Sequence, residues 1–359
     1  MKIGITGGNG FIGYHTYYNL KHTTDWDVIK LDRAFYFDKR IKECDWIIHL
    51  AGMNRGDEDE IRKTNIELTQ VLLDSVKTGC NIIFSSSTQV ELNNSYGDCK
   101  LECEQMIQQW CQQYGGKFYN IRIPNVFGPF CKPNYNSFVA TFCHKVCNNE
   151  TPEITNDNEV NLMYVNDVVE IFKYYIDEKI VNDTSLPYIN IKVSDVLEKL
   201  NYYKEYYFGE GRVPDLNDDF ERNLFNTFIS YIPHDKRLIK TELHSDERGS
   251  LTELAKVDSS EGQVFFSTTN KGYVRGEHFH MRKFERFCVV DGDAIIRIRK
   301  LGTDDTQEYK VSGDEIKIID MPIMYTHNIE NVGDNKLTTI FWISELYDEN
   351  NPDTFYEKV

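Results

Sequence analysis

Thr6-Gly7-Gly8-Asn9-Gly10-Phe11-Ile12-Gly13 follows a short apolar run, Lys2–Thr6, and opens a stretch of helical periodicity, Phe11–Leu20. Glycine at these spacings permits a tight strand-to-helix turn, close approach of backbone to a pyrophosphate, and tight packing of the helix on the strand. The spacing reads either as Gly7, Gly10 and Gly13 or as Gly8, Gly10 and Gly13. Unpaired amides at the start of the helix would face the pyrophosphate. Working outward, short apolar runs alternate with helical patterns. Asp27–Leu31, Trp46–Leu50, Asn81–Ser85 and Lys117–Arg122 read as further strands, and 58–77 and 101–114 as helices. This alternation predicts a Rossmann-type, doubly wound α/β domain with a parallel sheet.

The glycine loop predicts dinucleotide binding by Gly7, Gly10, Phe11, Ile12 and Gly13. About twenty residues beyond it, Asp32 and Arg33 end the second strand. An acid there binds a ribose hydroxyl and favours NADH, whereas an Arg accepts the 2′-phosphate of NADPH, so the pair leaves both cofactors open. Tyr96 and Lys100 are four apart and share one face of a helix. A nearby ammonium lowers a phenol's pKa, which would let Tyr96 exchange a proton near neutral pH. Ser85-Ser86-Ser87 ends the preceding strand and offers a hydroxyl to polarise a carbonyl. Together these residues imply hydride transfer at a carbonyl carbon.

From about Lys240 the pattern changes. Gln263–Thr269, 286–290, 294–299, 315–320 and 337–344 are short strands separated by Asn270-Lys271-Gly272, Asp291-Gly292-Asp293 and Ser312-Gly313-Asp314. That spacing predicts an all-β barrel or jelly roll. The expected division is 1–238 and 239–359, with the linker near 233–243 and residues 191–232 completing the first domain. In the second domain His278, His280, Glu285 and His327 form a candidate three-His, one-carboxylate metal site. On one strand His278 and His280 would point to the same face, and such a donor set suits Zn, Fe, Mn or Ni.

Composition narrows the partners. The chain has 359 residues and a formal net charge of −17, without a basic block, which disfavours nucleic acid and anionic membrane surfaces. No apolar run approaches the ~18 residues of a membrane span. The nine cysteines are odd in number and contain no C-x-x-C pair, which reads as reduced thiols in the cytoplasm.

The front half resembles the extended short-chain dehydrogenase/reductases that act on nucleotide sugars. The resemblance rests on Gly7–Gly13, Asp45–Gly52, Asn65, Ser85–Ser87, Tyr96–Lys100, Arg122–Pro129 and Tyr164–Val168. It implies Ser87, Tyr96 and Lys100 as a catalytic trio and a nucleotide-linked sugar as substrate. The back half, with G-x5-H-x-H-x4-E-x6-G over Gly272–Gly292 and P-x4-H-x3-N over Pro322–Asn331, resembles the cupins, except that Met324 stands where they commonly have glycine. Asp246–Ser250 and Val274–His278 resemble the cupin-type epimerases of sugar pathways, in which the position of His278 is a base without metal. A His that binds metal is not free to take a proton, which leaves the base open, with Tyr325 and Lys283 as candidates.

The two halves in this order resemble the bifunctional capsule-polysaccharide enzymes of the UDP-N-acetyl-L-fucosamine pathway. Asn54-Arg55, Lys132–Ser137, Asp246–Ser250, Tyr325–Asn331 and Asn351-Pro352-Asp353-Thr354 carry that likeness. It implies C3 epimerisation of a UDP-linked 4-keto amino sugar, then NADPH-dependent reduction at C4, in a zinc-containing homodimer. Asn125, Lys132, Arg248 and Arg275 are the expected substrate contacts. The alternative reading is a 4-ketosugar reductase whose second domain is a non-catalytic dimerisation or regulatory module.

Overall fold

The computed structural model describes residues 1–31, 38–92, 94–178, 186–242, 244–247, 249–258 and 262–359. Packing divides the chain into two compact units, Met1–Thr141 with Asn156–Val193, and Phe142–Thr155 with Ser194–Val359.

The front elements are β1 (Lys2–Thr6), α1 (Phe11–Thr23), β2 (Asp27–Leu31), β3 (Trp46–His49), α2 (Glu58–Ser75), β4 (Asn81–Ser87), α3 (Ser95–Tyr114), β5 (Phe118–Ile123), β6 (Asn125–Phe127), α4 (Phe138–Cys147), β7 (Glu159–Tyr164), α5 (Val165–Ile176) and β8 (Ile189–Lys192). The main sheet has the order β2-β1-β3-β4-β5, with every pairing parallel. The chain therefore reverses direction across the sheet beside β1, and the crevice beyond the strand ends there is where open α/β sheets bind ligands. One face of the sheet packs Ile3, Ile5, Ile48 and Ile83 against Leu20 of α1 and Phe172 of α5. The other packs Ile82 and Phe84 against Cys99, Cys103, Ile107 and Cys111 of α3. Three of the nine cysteines are thus part of the buried stripe of one helix, and all nine are buried and outside any disulfide.

Helix α3 begins six residues earlier than its periodicity predicts. The Asn94 side chain accepts a hydrogen bond of 2.8 Å from Gly97 N and caps the first turn. That extension puts Tyr96 and Lys100 on the helix. Asp57 caps α2 in the same way, and Glu58, Asp59 and Glu60 follow in the first turn, where the helix dipole favours them.

The back unit continues with α6 (Val193–Lys204), β9 (Arg212–Val213), α7 (Asp219–Ser230), β10 (Leu238–Lys240), β11 (His244–Asp246), β12 (Gly249–Leu251), β13 (Lys256–Val257), β14 (Gln263–Thr269), β15 (Val274–Phe279), β16 (Glu285–Asp291), β17 (Asp293–Lys300), β18 (Thr306–Ser312), β19 (Lys317–Met321), β20 (Tyr325–Asn331), β21 (Leu337–Ile343) and β22 (Phe355–Tyr356). Two five-stranded antiparallel sheets, β10-β19-β16-β21-β14 and β18-β17-β20-β15-β22, carry the all-β architecture. Their inner faces meet where Phe287 of β16 sets its ring edge-on to His327 of β20, 5.7 Å between centroids.

The packing groups residues 194–232 with these sheets. Tyr207 donates to Asp320 at 2.7 Å, and Asp320 is also held by Arg286 through bonds of 2.8 and 2.9 Å. Asn226 donates to the Arg282 carbonyl. A Tyr- and Phe-rich stretch has no sequence mark that tells which sheet it will cover. The expected linker is structured as well, because β10 pairs with β19. Among the described residues, no helix is long and apolar enough to cross a membrane.

Candidate functional site

In the front unit the glycine loop turns with Gly10 N donating to Gly7 O at 2.8 Å. Gly7 has φ +68, and a Cβ on Gly13 would lie 2.2 Å from the Gly7 oxygen, so neither position accepts a side chain. The first backbone bond of α1 runs from Tyr14 N to Gly10 O, which places the amides of Phe11, Ile12 and Gly13 ahead of the helical ladder. The Ile12 side chain packs on the core, so only its backbone is offered to an anion. Asp32 and Arg33 lie outside the described residues.

The three consecutive serines have different tasks. Ser86 donates to Glu104 at 2.5 Å, and Glu104 is held by Arg122 through bonds of 3.0 and 3.2 Å. Ser85 gives its carbonyl to Lys100 Nζ at 2.9 Å. Ser87 accepts from Gln89 N at 3.2 Å, which leaves its hydroxyl proton uncommitted among the described residues. Lys100 is buried, and burial lowers its pKa. Its ammonium stands 5.9 Å from the Tyr96 ring centroid. The expectation that Lys100 lowers the Tyr96 pKa is corrected by the structure. Burial, with the neighbouring thiols Cys99 and Cys103, pushes the phenol up to about 12. Tyr96 is therefore a neutral proton donor in the protein by itself.

In the back unit β15 and β20 are paired antiparallel with His278 opposite His327. The register slips between Gly276 and His278, and Glu277, at φ +61, is the bulged residue. A bulge re-aims the side chains that follow it. His280 lies one residue past the end of β15 rather than on it. Glu285 opens β16 on the facing sheet. Its Oε2 is 3.0 Å from His280 Nε2, 3.1 Å from His327 Nε2 and 3.9 Å from His278 Nε2. One ligand atom from each of the four side chains lies within 4.8 Å of the others.

The chemistry of this donor set fits a divalent cation. His280 Nδ1 lies 2.6 Å from the Asp353 carbonyl. A carbonyl only accepts, so the proton is on Nδ1 and the Nε2 lone pair faces inward. His327 Nδ1 lies 3.3 Å from the Tyr325 carbonyl in the same sense. His280 Nε2, His327 Nε2 and Glu285 Oε2 are buried and have no hydrogen-bond partner among the described residues. Electron-rich atoms so placed are costly unless a cation or a proton lies between them. Burial alone would raise the Glu285 pKa, but the three histidines outweigh it and hold the carboxyl well below its usual range.

The candidate bases are occupied elsewhere. Lys283 Nζ donates to Pro352 O at 2.8 Å and Thr354 Oγ1 at 3.2 Å, and Tyr325 lies under the Arg237 guanidinium, 4.5 Å from its ring centroid. Met324 takes φ +62, the conformation for which glycine is usual, so the turn before β20 keeps that geometry without the glycine. The expected substrate contacts are distributed over both units. Asn125 and Lys132 are exposed in the front unit, Arg275 is exposed in the back unit, and Arg248 lies outside the described residues. Two features have no counterpart in the pattern-based reading: the Glu104–Arg122 pair under the serines and the part played by Asp353. Each joins residues distant along the chain, and the only mark of the second was the Asn351–Thr354 resemblance.

Residues 3–185 match the NAD dependent epimerase/dehydratase family, and residues 244–355 match the polysaccharide biosynthesis C-terminal domain. A Pseudomonas aeruginosa protein, UDP-2-acetamido-2,6-beta-L-arabino-hexul-4-ose reductase, is 34% identical over 370 residues, spanning 99% of this chain and 98% of its own. The crystal structure of the capsular polysaccharide assembling protein CapF from Staphylococcus aureus is 35% identical, with a TM-score of 0.64 and full coverage of both chains. A CapF structure with the inhibitor 3-isopropenyl-tropolone is 33% identical, with a TM-score of 0.59 and full coverage of both chains.

Proposed function

The chain belongs to the NAD dependent epimerase/dehydratase family, and from that premise we propose that it is a bifunctional enzyme of the UDP-N-acetyl-L-fucosamine pathway, acting as a cytoplasmic homodimer. Residues 239–359, read as a cupin, epimerise C3 of a UDP-2-acetamido-2,6-dideoxy-4-hexulose. The front unit, Met1–Thr141 with Asn156–Val193, then reduces the C4 ketone, giving a talose- or rhamnose-type L-sugar. The observation that carries this reading is that one chain holds two constellations: Lys100 set 5.9 Å from the Tyr96 ring and bonded to the strand that Ser87 ends, and four converging metal-type side chains between two sheets.

The order of steps follows from the chemistry. A C3 proton is acidic only while C4 is a ketone, because the enolate spreads onto that oxygen. Reduction removes the ketone and fixes the new configuration. The backbone of Gly7, Gly10, Phe11, Ile12 and Gly13 would hold NADPH, which would supply the hydride, and the chain's own residues handle the oxygen. The Ser87 hydroxyl donates to the ketone, and Tyr96 protonates it as charge develops. Lys100 adds positive charge beside Tyr96. In the back unit His278, His280, Glu285 and His327 would hold a divalent metal, zinc by the resemblance, which when bound polarises a carbonyl oxygen. Tropolone has the vicinal oxygens of a metal chelator, which supports that reading of the relative's inhibitor.

The test is incubation with the UDP-4-keto sugar in deuterated water. Without reduced cofactor, deuterium should enter C3 and the cofactor-dependent product should not form. Adding NADPH should then give reduction at C4. Reduction with no C3 exchange would leave the non-catalytic module as the right description of residues 239–359. That second reading draws support from the prior commitment of Lys283. For the cofactor we propose NADPH over NADH, with Arg33 on the 2′-phosphate. Arg33→Ala should then raise the NADPH KM about tenfold, the size of one charge-assisted hydrogen bond, and leave the NADH KM alone. An unchanged NADPH KM would place the phosphate elsewhere.

A further inference from the structure

Segment 351–359 wraps the residues that carry two of the four converging side chains. Phe355 and Tyr356 pair with Phe279 and His278 as β22 on β15. Glu357 N donates to Glu277 O at 3.0 Å, and Val359 N donates to the Glu277 carboxylate at 2.8 Å, so the bulge is fixed from outside. The densest contact is Asp353, which is 4% exposed. Its Oδ1 accepts from Met281 N at 3.1 Å, and its Oδ2 accepts from Arg282 N and Lys283 N, both at 3.0 Å. Its main-chain carbonyl accepts from His280 Nδ1 at 2.6 Å. Asp353 has φ +45, a left-handed conformation that Asp and Asn tolerate better than most residues. In that conformation a single residue presents both its carbonyl and its carboxylate to 280–283.

We propose that Asp353 is a positioning residue for the metal cluster. Its carbonyl sets the His280 tautomer, so that Nε2 offers its lone pair inward. Its carboxylate fixes the turn 281–283 that leads from His280 to Glu285. The inference rests on reading His278, His280, Glu285 and His327 as a metal site. A hydrogen bond to the outer nitrogen of a metal-bound histidine fixes ring orientation and raises its basicity, and losing such a partner typically weakens metal binding about 10–100-fold.

The test uses the full chain, stripped of metal and titrated with Zn²⁺ against a competing chelator, with Co²⁺ as a spectroscopic probe. Asp353→Ala, which loses the carboxylate and disfavours the left-handed backbone, should bind Zn²⁺ about 10–100-fold more weakly and shift the visible Co²⁺ bands. Asp353→Asn keeps the shape, the backbone preference and one acceptor. It should fall between wild type and Asp353→Ala, and it provides the measurement if the alanine variant does not fold. Thr354→Ala removes a Lys283 partner from the same segment but none of the Asp353 bonds, and should bind as wild type does. Wild-type affinity and an unshifted spectrum in Asp353→Ala would overturn the proposal. So would an equal loss in Thr354→Ala, which would make the whole segment a packing element. Wild-type protein that takes up no Zn²⁺ would overturn the metal reading itself, and this proposal with it.

Discussion

Lys100, Ser86 and Ser87 in the front unit each have a partner in their own scaffold: the Ser85 carbonyl, the Glu104 carboxylate and the Gln89 amide. In the back unit the inward atoms of His280, His327 and Glu285 have none among the described residues, although all three are buried. Polar groups are thus satisfied in one place and left facing one another in the other. A site that awaits a cofactor and a substrate can be self-consistent without them, because each side chain needs only one uncommitted atom. A site for a cation cannot be, because ligands must present lone pairs to the same point.

The largest expected effect breaks the front site alone. Tyr96→Phe should slow NADPH oxidation with the keto sugar by about 10²–10⁴-fold, the usual cost of losing a placed general acid. Exchange at C3 should continue at the wild-type rate. Cofactor oxidation followed optically, and deuterium at C3 followed by NMR, measure the two halves in one sample. Normal cofactor turnover in this variant would exclude Tyr96 as the donor.

Metal removal tests the other side of the contrast. If the orphaned groups await a cation, the protein as purified carries about one divalent ion per chain. With free metal at ~100–1,000 times its Kd, binding adds about 3–4 kcal/mol to the stability of the back unit. Chelation should therefore lower the unfolding midpoint reported by that unit. Elemental analysis that finds no metal, with a melting curve indifferent to chelator, would mean that protons hold the cluster together.

The front unit has its own pH limit. His49 is buried, its Nδ1 takes the Thr6 hydroxyl at 2.7 Å, and burial with the nearby Lys100 charge pushes its pKa down to about 3. The unfolded chain binds a proton below about pH 6.5, whereas the folded protein does not until about pH 3. The stability that neutral His49 contributes is complete above pH 6.5 and is lost as pH falls below it, by about 2 kcal/mol at pH 5. Denaturant unfolding at pH 7 and pH 5 should show that loss in the wild type, and His49→Asn should reduce it. Equal slopes in the two proteins would assign the pH dependence to other groups.

The smallest effect concerns Met324 at φ +62. Glycine is ordinarily ~0.5–1 kcal/mol worse than alanine within regular structure. Here the order should reverse, because alanine retains the left-handed penalty of about 1–2 kcal/mol and glycine does not. Met324→Gly should therefore unfold at higher denaturant than Met324→Ala, both below wild type because the buried side chain is gone. The opposite order would argue that the turn relaxes when the side chain is removed.

The sequence by itself determined the glycine turn, the alternation of strand and helix, and the face shared by Tyr96 and Lys100. These depend on neighbours within one turn or one strand, where spacing and φ preference are local. It also determined which four side chains could bind a metal, because the residue types themselves are the chemistry. Only the tertiary structure decided that Ser86 spends its hydroxyl proton on Glu104 and that Ser85 gives its main-chain carbonyl to Lys100, since both partners come from a packed helix. It also reversed the expected shift of the Tyr96 pKa, because burial is a property of the whole unit rather than of a pair. Likewise residues 194–232 went to the β-sheets and Asp353 to His280. A hydrophobic surface or a carboxylate carries no mark in the chain of the partner it will meet, and that partner is fixed only when the strands are in register.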